Sequence, residues 1–565
     1  MKRLLLPSPL HKRRYRALGI LGSGLILLVA ALVAALILAN IVAAQDDLDF
    51  GDAPDPTYPT TAANNGASHV IIPGFSLGPS IDAEPEGNAS VNADGDDTTG
   101  TDDEDGVTFQ SIMIPGMPAC INVNLVNTAS MANPSLDAWI DFNSDGFWDP
   151  VAEHLWGGAS QPLAAGSNIL CFTVPPNTSR GYTYARFRLS DGGGAPPTGP
   201  GSTPGEVEDY RIYIEFTKWE QPPQKRDPHD ICYWGWDEIS VYGDGENGNP
   251  GYPIIADDWK CEDDRPVTDI HWWGSYDGWY DNDPPYEPPP ARYRPIQFHI
   301  GIWKDVPANP PGEPFSHPAE LIHEWIVNYA DLHERYAGCD YYSGTMQTPD
   351  TCFYYDFEIP REDWFYQNPE EETVYWISIS AIYQNNQPPQ QYLWGWKTRK
   401  PEWNDDAVRI FTPDAPRVGD PYVNGEPIET QEEGSWDTSF VLTSLPTEPR
   451  PPLVNIEITN TTTAKLSWQH ILKDIYNAPV TINRYDVYRD TKPYQGASAT
   501  LLTTIDGPFS PGDIVHLDAG AVGSSSQNYY YYVQAAVSDR YGGDVRSQLS
   551  NHVGEFDFTL VPGSS

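Results

Sequence analysis

The side chains best placed for chemistry are carboxylates. Asp141, Asn143 and Asp145 offer oxygens at alternate positions, Gly146 lets the chain reverse, and Asp149 and Glu153 follow. Alternating oxygens around a glycine turn are what Ca²⁺ needs, since it takes six to eight hard oxygen ligands in flexible geometry. Ala152 stands where a twelve-residue calcium loop carries its bidentate glutamate, and Glu153 comes one residue late. The expectation is therefore a calcium loop between two strands, with a solvated Asp/Asn turn as the alternative. A second acidic run holds Asp94, Asp96 and Asp97, then Asp102, Asp103, Glu104 and Asp105. So many like charges repel unless water or a cation neutralises them. A third group is Glu206, Glu208 and Asp209.

Aromatic residues are the other resource. Of 19 tryptophans, 14 lie between Thr217 and Pro416. Flat aromatic faces stack on sugars, so Trp272, Trp273, Tyr276, Trp279 and Tyr280, with Trp394 and Trp396, are candidate glycan contacts. The competing reading is that they fill a core. No G-x-S-x-G, H-E-x-x-H, P-loop or G-x-G-x-x-G pattern occurs. His323-Glu324 lacks the second histidine of a zinc helix. A non-enzymatic chain is expected, with a glycoside hydrolase using an unfamiliar pair of carboxylates as the least favoured alternative.

The elements that would position these groups are short strands. The 565 residues include 47 Gly and 55 Pro, and 39 % are apolar. That composition suits strands joined by turns. The formal charge of −46 argues against a phosphate-binding, nucleic-acid surface. Lys2, Arg3, Lys12, Arg13, Arg14 and Arg16 precede an uncharged run from Ala17 to Ala44. As a helix it would span roughly 40 Å, more than a bilayer core of about 30 Å. Val42-Ala43-Ala44 has the small residues of a cleavage site. Residues 1–44 therefore read as a signal peptide or an N-terminal anchor, and membrane association is expected through this segment alone. Either way the chain from Gln45 onward lies outside the cytoplasm. Six downstream cysteines in an exported chain imply disulfides. Pairing near neighbours gives Cys120–Cys171, Cys232–Cys261 and Cys339–Cys352.

Three segments follow. Residues 46–216 carry 25 acids and four arginines. Asp49-Phe-Gly-Asp-Ala-Pro-Asp55 opens this segment. Asp102-Asp-Glu-Asp-Gly-Val107, Trp139-Ile-Asp-Phe142 and Ala185-Arg-Phe-Arg188 come next, and Gly205-Glu-Val-Glu-Asp-Tyr210 closes it. The series resembles the GEVED domain of bacterial surface and secreted proteins, which implies a β-sandwich without catalysis. Position in that family implies that Glu206, Glu208 and Asp209 pair with Arg186 or Arg188 on a neighbouring strand. Residues 217–416 resemble an uncharacterised jelly-roll-like module that accompanies bacterial surface proteins. Residues 417–452 read as an acidic, Pro-rich linker. Residues 453–558 resemble a fibronectin type III domain, and 559–565 form a tail. Its core tryptophan would be Trp468 in Ala464-Lys-Leu-Ser-Trp468, and its inward strand set Tyr529, Tyr531, Val533 and Ala535. Tyr529 would hydrogen-bond nearby backbone.

The expected fold class is all-β, three consecutive sandwiches behind an N-terminal hydrophobic helix. The expected role is an exported adhesion or scaffold protein stiffened by calcium. Its partner would be an extracellular glycan or protein, and glycan binding through the Trp-rich module is the second reading.

Overall fold

The computed structural model describes residues 48–554, apart from 85, 96–102, 226–231, 244–250, 282–285, 341–348, 369–372, 402, 412–415, 422–424, 431–433, 493–498 and 524–526. The N-terminal segment, Asp96, Asp102 and the C-terminal tail lie outside the described residues. Among those described, no helix is long and apolar enough to cross a membrane. Strands account for 49 % of the structure, so the all-β expectation holds.

In the first module, Pro118–Asn127 alternates strictly. Ala119, Ile121, Val123 and Leu125 point inward and are buried. This strand pairs with Phe75–Leu77, Val107–Phe109 and Gly166–Thr173. The facing sheet runs Gly205–Ile214, Gly181–Asp191, Pro134–Ile140 and Gln161–Pro162. Leu136, Ala138, Ala185, Phe187 and Leu189 fill the space between the two sheets. Cys120 lies directly opposite Cys171, and the two form the expected disulfide.

The second module is larger. A nine-stranded sheet built around Asp269–Tyr276 faces a six-stranded sheet built around Gln297–Val306 and Val374–Ile382. Asp269–Tyr276 and Trp394–Arg399 are buried at every position, which marks strands covered on both faces. The stretch expected to be a linker contributes strands here. Gly425–Pro427 extends the six-stranded sheet, and Phe440–Ser444 lies between Phe216–Gln221 and Asp269–Tyr276. Phe440 and Leu442 belong to the core. The acidic, Pro-rich composition around them hid a five-residue strand, Phe-Val-Leu-Thr-Ser.

Two expected disulfides are also corrected. Cys232 bonds Cys339, while Cys261 and Cys352 are buried thiols. Cys232–Tyr233 runs parallel to Arg335–Asp340, which sets Cys232 opposite Cys339 across 107 residues of chain. Proximity in sequence is a poor guide in a sandwich, where neighbouring strands are often distant along the chain. Unreduced protein unfolded in guanidinium should therefore show two alkylatable thiols, at Cys261 and Cys352. Complete absence of thiols, with a Cys232–Cys261 peptide, would contradict this arrangement.

The third module sets Asn455–Ile458, Thr463–Gln469 and Asp513–Ala519 against Thr500–Asp506, Arg484–Asp490, Tyr530–Ser538 and Asp544–Arg546. Val553–Gly554 also pairs Tyr530–Ser538, so three strands face five in a fibronectin type III-like sandwich. Trp468 is buried between the sheets with Tyr485, Tyr531, Val533 and Ala535. Tyr529 is only partly buried, at the margin of this core. The Tyr485 hydroxyl accepts a hydrogen bond from the Ile471 amide at 2.7 Å, tying strand to loop as Tyr529 was expected to do.

The modules pack on one another. Phe216, where the first module passes into the second, sits in the core of the third. Arg540 of the third module donates to Glu215 at 2.9 Å and to Asp269. Ile114 and Met117 of the first module cover Trp273 and Val441 of the second.

Candidate metal centre

The two ends of the first module's motif series meet in space. Asp49 lies in Leu48–Phe50, Asp103 precedes Val107–Phe109, and Glu206 and Glu208 lie in Gly205–Ile214. Asp49, Glu84 and Asp103 each bring one carboxylate oxygen within 4.8 Å of the others. Exposure is 1 % for Asp49, 8 % for Glu84, 4 % for Asp103 and 1 % for each of Glu206 and Glu208. Among the described residues this is the group of three or more potential ligands that converges.

Each acid also staples a neighbouring segment. Asp49 accepts from the Val207 amide, and Glu84 Oε2 accepts from the Phe50 amide at 2.9 Å. Asp103 Oδ2 accepts from Asp82 at 3.0 Å, and Asp105 Oδ2 from Ser80 at 3.2 Å. Glu208 Oε1 accepts from Gly106 at 2.8 Å, and Glu206 Oε2 accepts from Leu77. Glu206 Oε1 is buried and meets no hydrogen-bond donor. Glycine is needed where the segments crowd. A Cβ on Gly106 would lie 2.4 Å from Leu77 Cβ, and one on Gly51 would lie 2.3 Å from Asp209 Oδ2.

Burial and mutual repulsion make these acids reluctant to ionise together. Burial first, then Glu84 and Asp103, pushes Asp49 well above the usual carboxylate range. Burial first, then Glu208 and Asp49, does the same to Glu206, and burial pushes Glu208 up to about 8. A divalent cation would turn that repulsion into attraction. An all-oxygen donor set without sulfur or imidazole fits Ca²⁺, Mg²⁺ or Mn²⁺ rather than zinc, and Ca²⁺ accepts the widest range of ligand number and geometry.

The expected pairing of the closing acids with arginines holds for one of the three. Asp209 is the direct cross-strand partner of Arg186. The guanidinium grips it with two bonds, Nε to Oδ1 at 2.7 Å and Nη2 to Oδ2 at 2.6 Å, both side chains being fully buried. Successive residues of a strand point to opposite faces. Glu206 and Glu208 therefore share the face of Leu189 and Phe187, away from the arginines. Arg188 instead meets His69 and the carbonyls of Pro196 and Ser68.

The oxygens of the Asp141 loop are engaged in hydrogen bonds. Asp141 Oδ2 accepts from the Tyr58 hydroxyl at 2.6 Å and from the Gly146 amide at 2.9 Å. Asn143 accepts from Asp145, Asp145 from Phe147, and Asp149 from Val151 and Ala152. Glu153 takes the amides of Phe142, Asn143 and Asp149. These oxygens cap their own loop, and among the described residues no three of its acids converge as Asp49, Glu84 and Asp103 do. Asp94 likewise turns to the Ser90 hydroxyl, at 2.6 Å.

Five of the seven aromatic candidates are core. Trp272, Tyr276, Trp394 and Trp396 have no exposed surface, and Trp273 has 1 %. The inner face of their sheet meets the second sandwich layer, and Trp273 on the outer face is covered by the first module. Trp279 is partly buried against that core, its Nε1 donating to the Glu287 carbonyl at 3.0 Å. Tyr280 is exposed.

Residues 135–213 match the family model of the GEVED domain, and residues 217–443 match that of a domain of unknown function, DUF7901. No curated protein matches the chain. Solved structures similar to it include the FN1–FN3 domains of chicken CNTN1, at 10 % identity and a TM-score of 0.17, covering 80 % of this chain and 97 % of that one. A marsupial T cell receptor aligns at 8 % identity and a TM-score of 0.15, covering 80 % and 98 %. E. coli alpha-2-macroglobulin aligns at 8 % and 0.13, covering 80 % of this chain and 20 % of its own. GEVED and fibronectin-like domains are typical of extracellular proteins.

Proposed function

We propose that this is an exported scaffold or adhesion protein without catalytic activity, whose first sandwich is locked by calcium. The convergence of Asp49, Glu84 and Asp103 beside Glu206 and Glu208 carries this reading. A cation there would join the opening segment, the acidic loop and the closing strand of one module. That module packs on the other two through Ile114, Met117 and Phe216. A stiff block of sandwiches is suited to holding a binding surface away from a cell. The partner would be an extracellular protein or glycan, reached by surfaces other than the buried tryptophans. A binding array of extracellular-matrix proteins and glycans, probed with residues 45–565, tests the role. Retention of one ligand class in calcium and its loss in chelator is expected. Cleavage of arrayed glycans would contradict a non-catalytic role, and retention of nothing would contradict adhesion.

A further inference from the structure

A second buried charge cluster lies in the middle module, remote in sequence from the acid cluster of the first. Lys397 sits in Trp394–Arg399 directly opposite Asp237 of the neighbouring strand Asp237–Ile239. Asp340 ends the strand Arg335–Asp340, elsewhere in the same sheet. Lys397 Nζ lies 2.8 Å from Asp340 Oδ1, with side-chain exposures of 0 % and 3 %. A buried ammonium needs several acceptors to offset its lost hydration. Here Nζ has one, Asp340, in an ion pair at 2.8 Å, with Asp237 close by. The other oxygen of Asp340 accepts from the Ser275 hydroxyl, which holds the carboxyl group still. Asp237 hydrogen-bonds to Asp340, and burial first, then the Asp340 charge, keeps its proton on.

We infer that Lys397 and Asp340 condense to an amide cross-link, with Asp237 as the acid–base group. Attack requires the ammonium to pass its proton across first; burial favours that transfer, while Asp340 and Asp237 oppose it and raise the Lys397 pKa, so the reactive neutral amine is the minor form. Nζ then attacks Cγ of Asp340, and the new C–N bond makes a tetrahedral carbon. Asp237 donates its proton to the departing hydroxyl and takes one from nitrogen. The C–O bond breaks, one water leaves, and Asp237 ends as it began. No oxidant or external reactant is needed. Holding the two groups in contact supplies the effective concentration that makes such a condensation feasible. The product would tie Trp394–Arg399 to Arg335–Asp340, the strand already bonded through Cys339. This bond does not depend on the proposed metal or on adhesion.

Peptide mapping of the full chain, reduced and denatured, decides the matter. The expected result is a branched peptide joining the Lys397 and Asp340 segments, lighter than their sum by one water, with no tryptic cleavage after Lys397. Recovery of both segments as linear peptides, cleaved after Lys397, would overturn the inference without any variant. Asp237→Ala should yield the linear pair from protein that still folds by circular dichroism. Lys397→Arg, which keeps the charge but removes the amine, should do so as well. A branched peptide in Asp237→Ala would overturn the role given to Asp237.

Discussion

Replacing Arg186 by methionine is expected to lower the stability of the first module by about 3–5 kcal/mol, the usual cost of orphaning one partner of a buried ion pair. Arg186 donates to both oxygens of Asp209, to the carbonyls of Pro59 and Pro197, and to the Thr60 hydroxyl. Its loss strands a carboxylate with no exposed surface. Asp209 also accepts from the Ala53 amide at 2.9 Å, so the opening segment would loosen with it. The double variant Arg186→Met, Asp209→Leu should recover part of the loss, since apolar replacement of both partners removes the orphaned charge. Chemical denaturation followed by tryptophan fluorescence measures both, because Arg186 stacks over Trp148 at 4.4 Å. A single-variant loss below about 1 kcal/mol, the range of an exposed pair, would show that the arginine is solvated.

The second large effect concerns the acid cluster. Asp49→Asn with Glu206→Gln removes two mutually repelling carboxylates while keeping their shape. In chelator this variant should melt higher than the unaltered protein, because burial and repulsion oppose ionisation at both positions. In millimolar calcium the order should reverse. Ligand linkage would stabilise the unaltered protein by about 2.7 kcal/mol at a hundred times the dissociation constant, and the variant far less. Extracellular modules often bind calcium at about 10⁻⁴–10⁻³ M, which sets the range to scan. Asp141→Ala should leave the calcium response in place, since that side chain is committed to Tyr58 and Gly146. If Asp141→Ala removes the response and the double variant does not, the cation sits in the Asp141 loop.

Pro118–Asn127 of the first module was legible in sequence because one of its faces is buried, so the alternation of Ala119, Ile121, Val123 and Leu125 survives. Trp468 was legible for the same reason. The middle module was harder. Its central strands are buried on both faces, so no period separates a core tryptophan from a binding one. Trp272 and Trp273 point to opposite faces, and both are buried. The acidic motifs raised the expectation of a cation without showing which carboxylates converge. Glu206 and Glu208 stand two apart and so share a face, but which face depends on register against Arg186 and Arg188. Glu84 carries no local signal, being brought to Phe50 by a loop. The Lys397–Asp340 contact joins strands 57 residues apart in an order that only the sheet reveals.

Calorimetric titration of calcium into chelator-treated protein beginning at Gln45 tests the central claim most directly. The account predicts a saturable heat and a matching rise in the melting temperature of the first module. It also predicts that magnesium gives a weaker response and that Asp49→Asn, Glu206→Gln abolishes the heat. A flat titration with an unchanged melting temperature would contradict it, leaving the buried acids to be neutralised by protons alone.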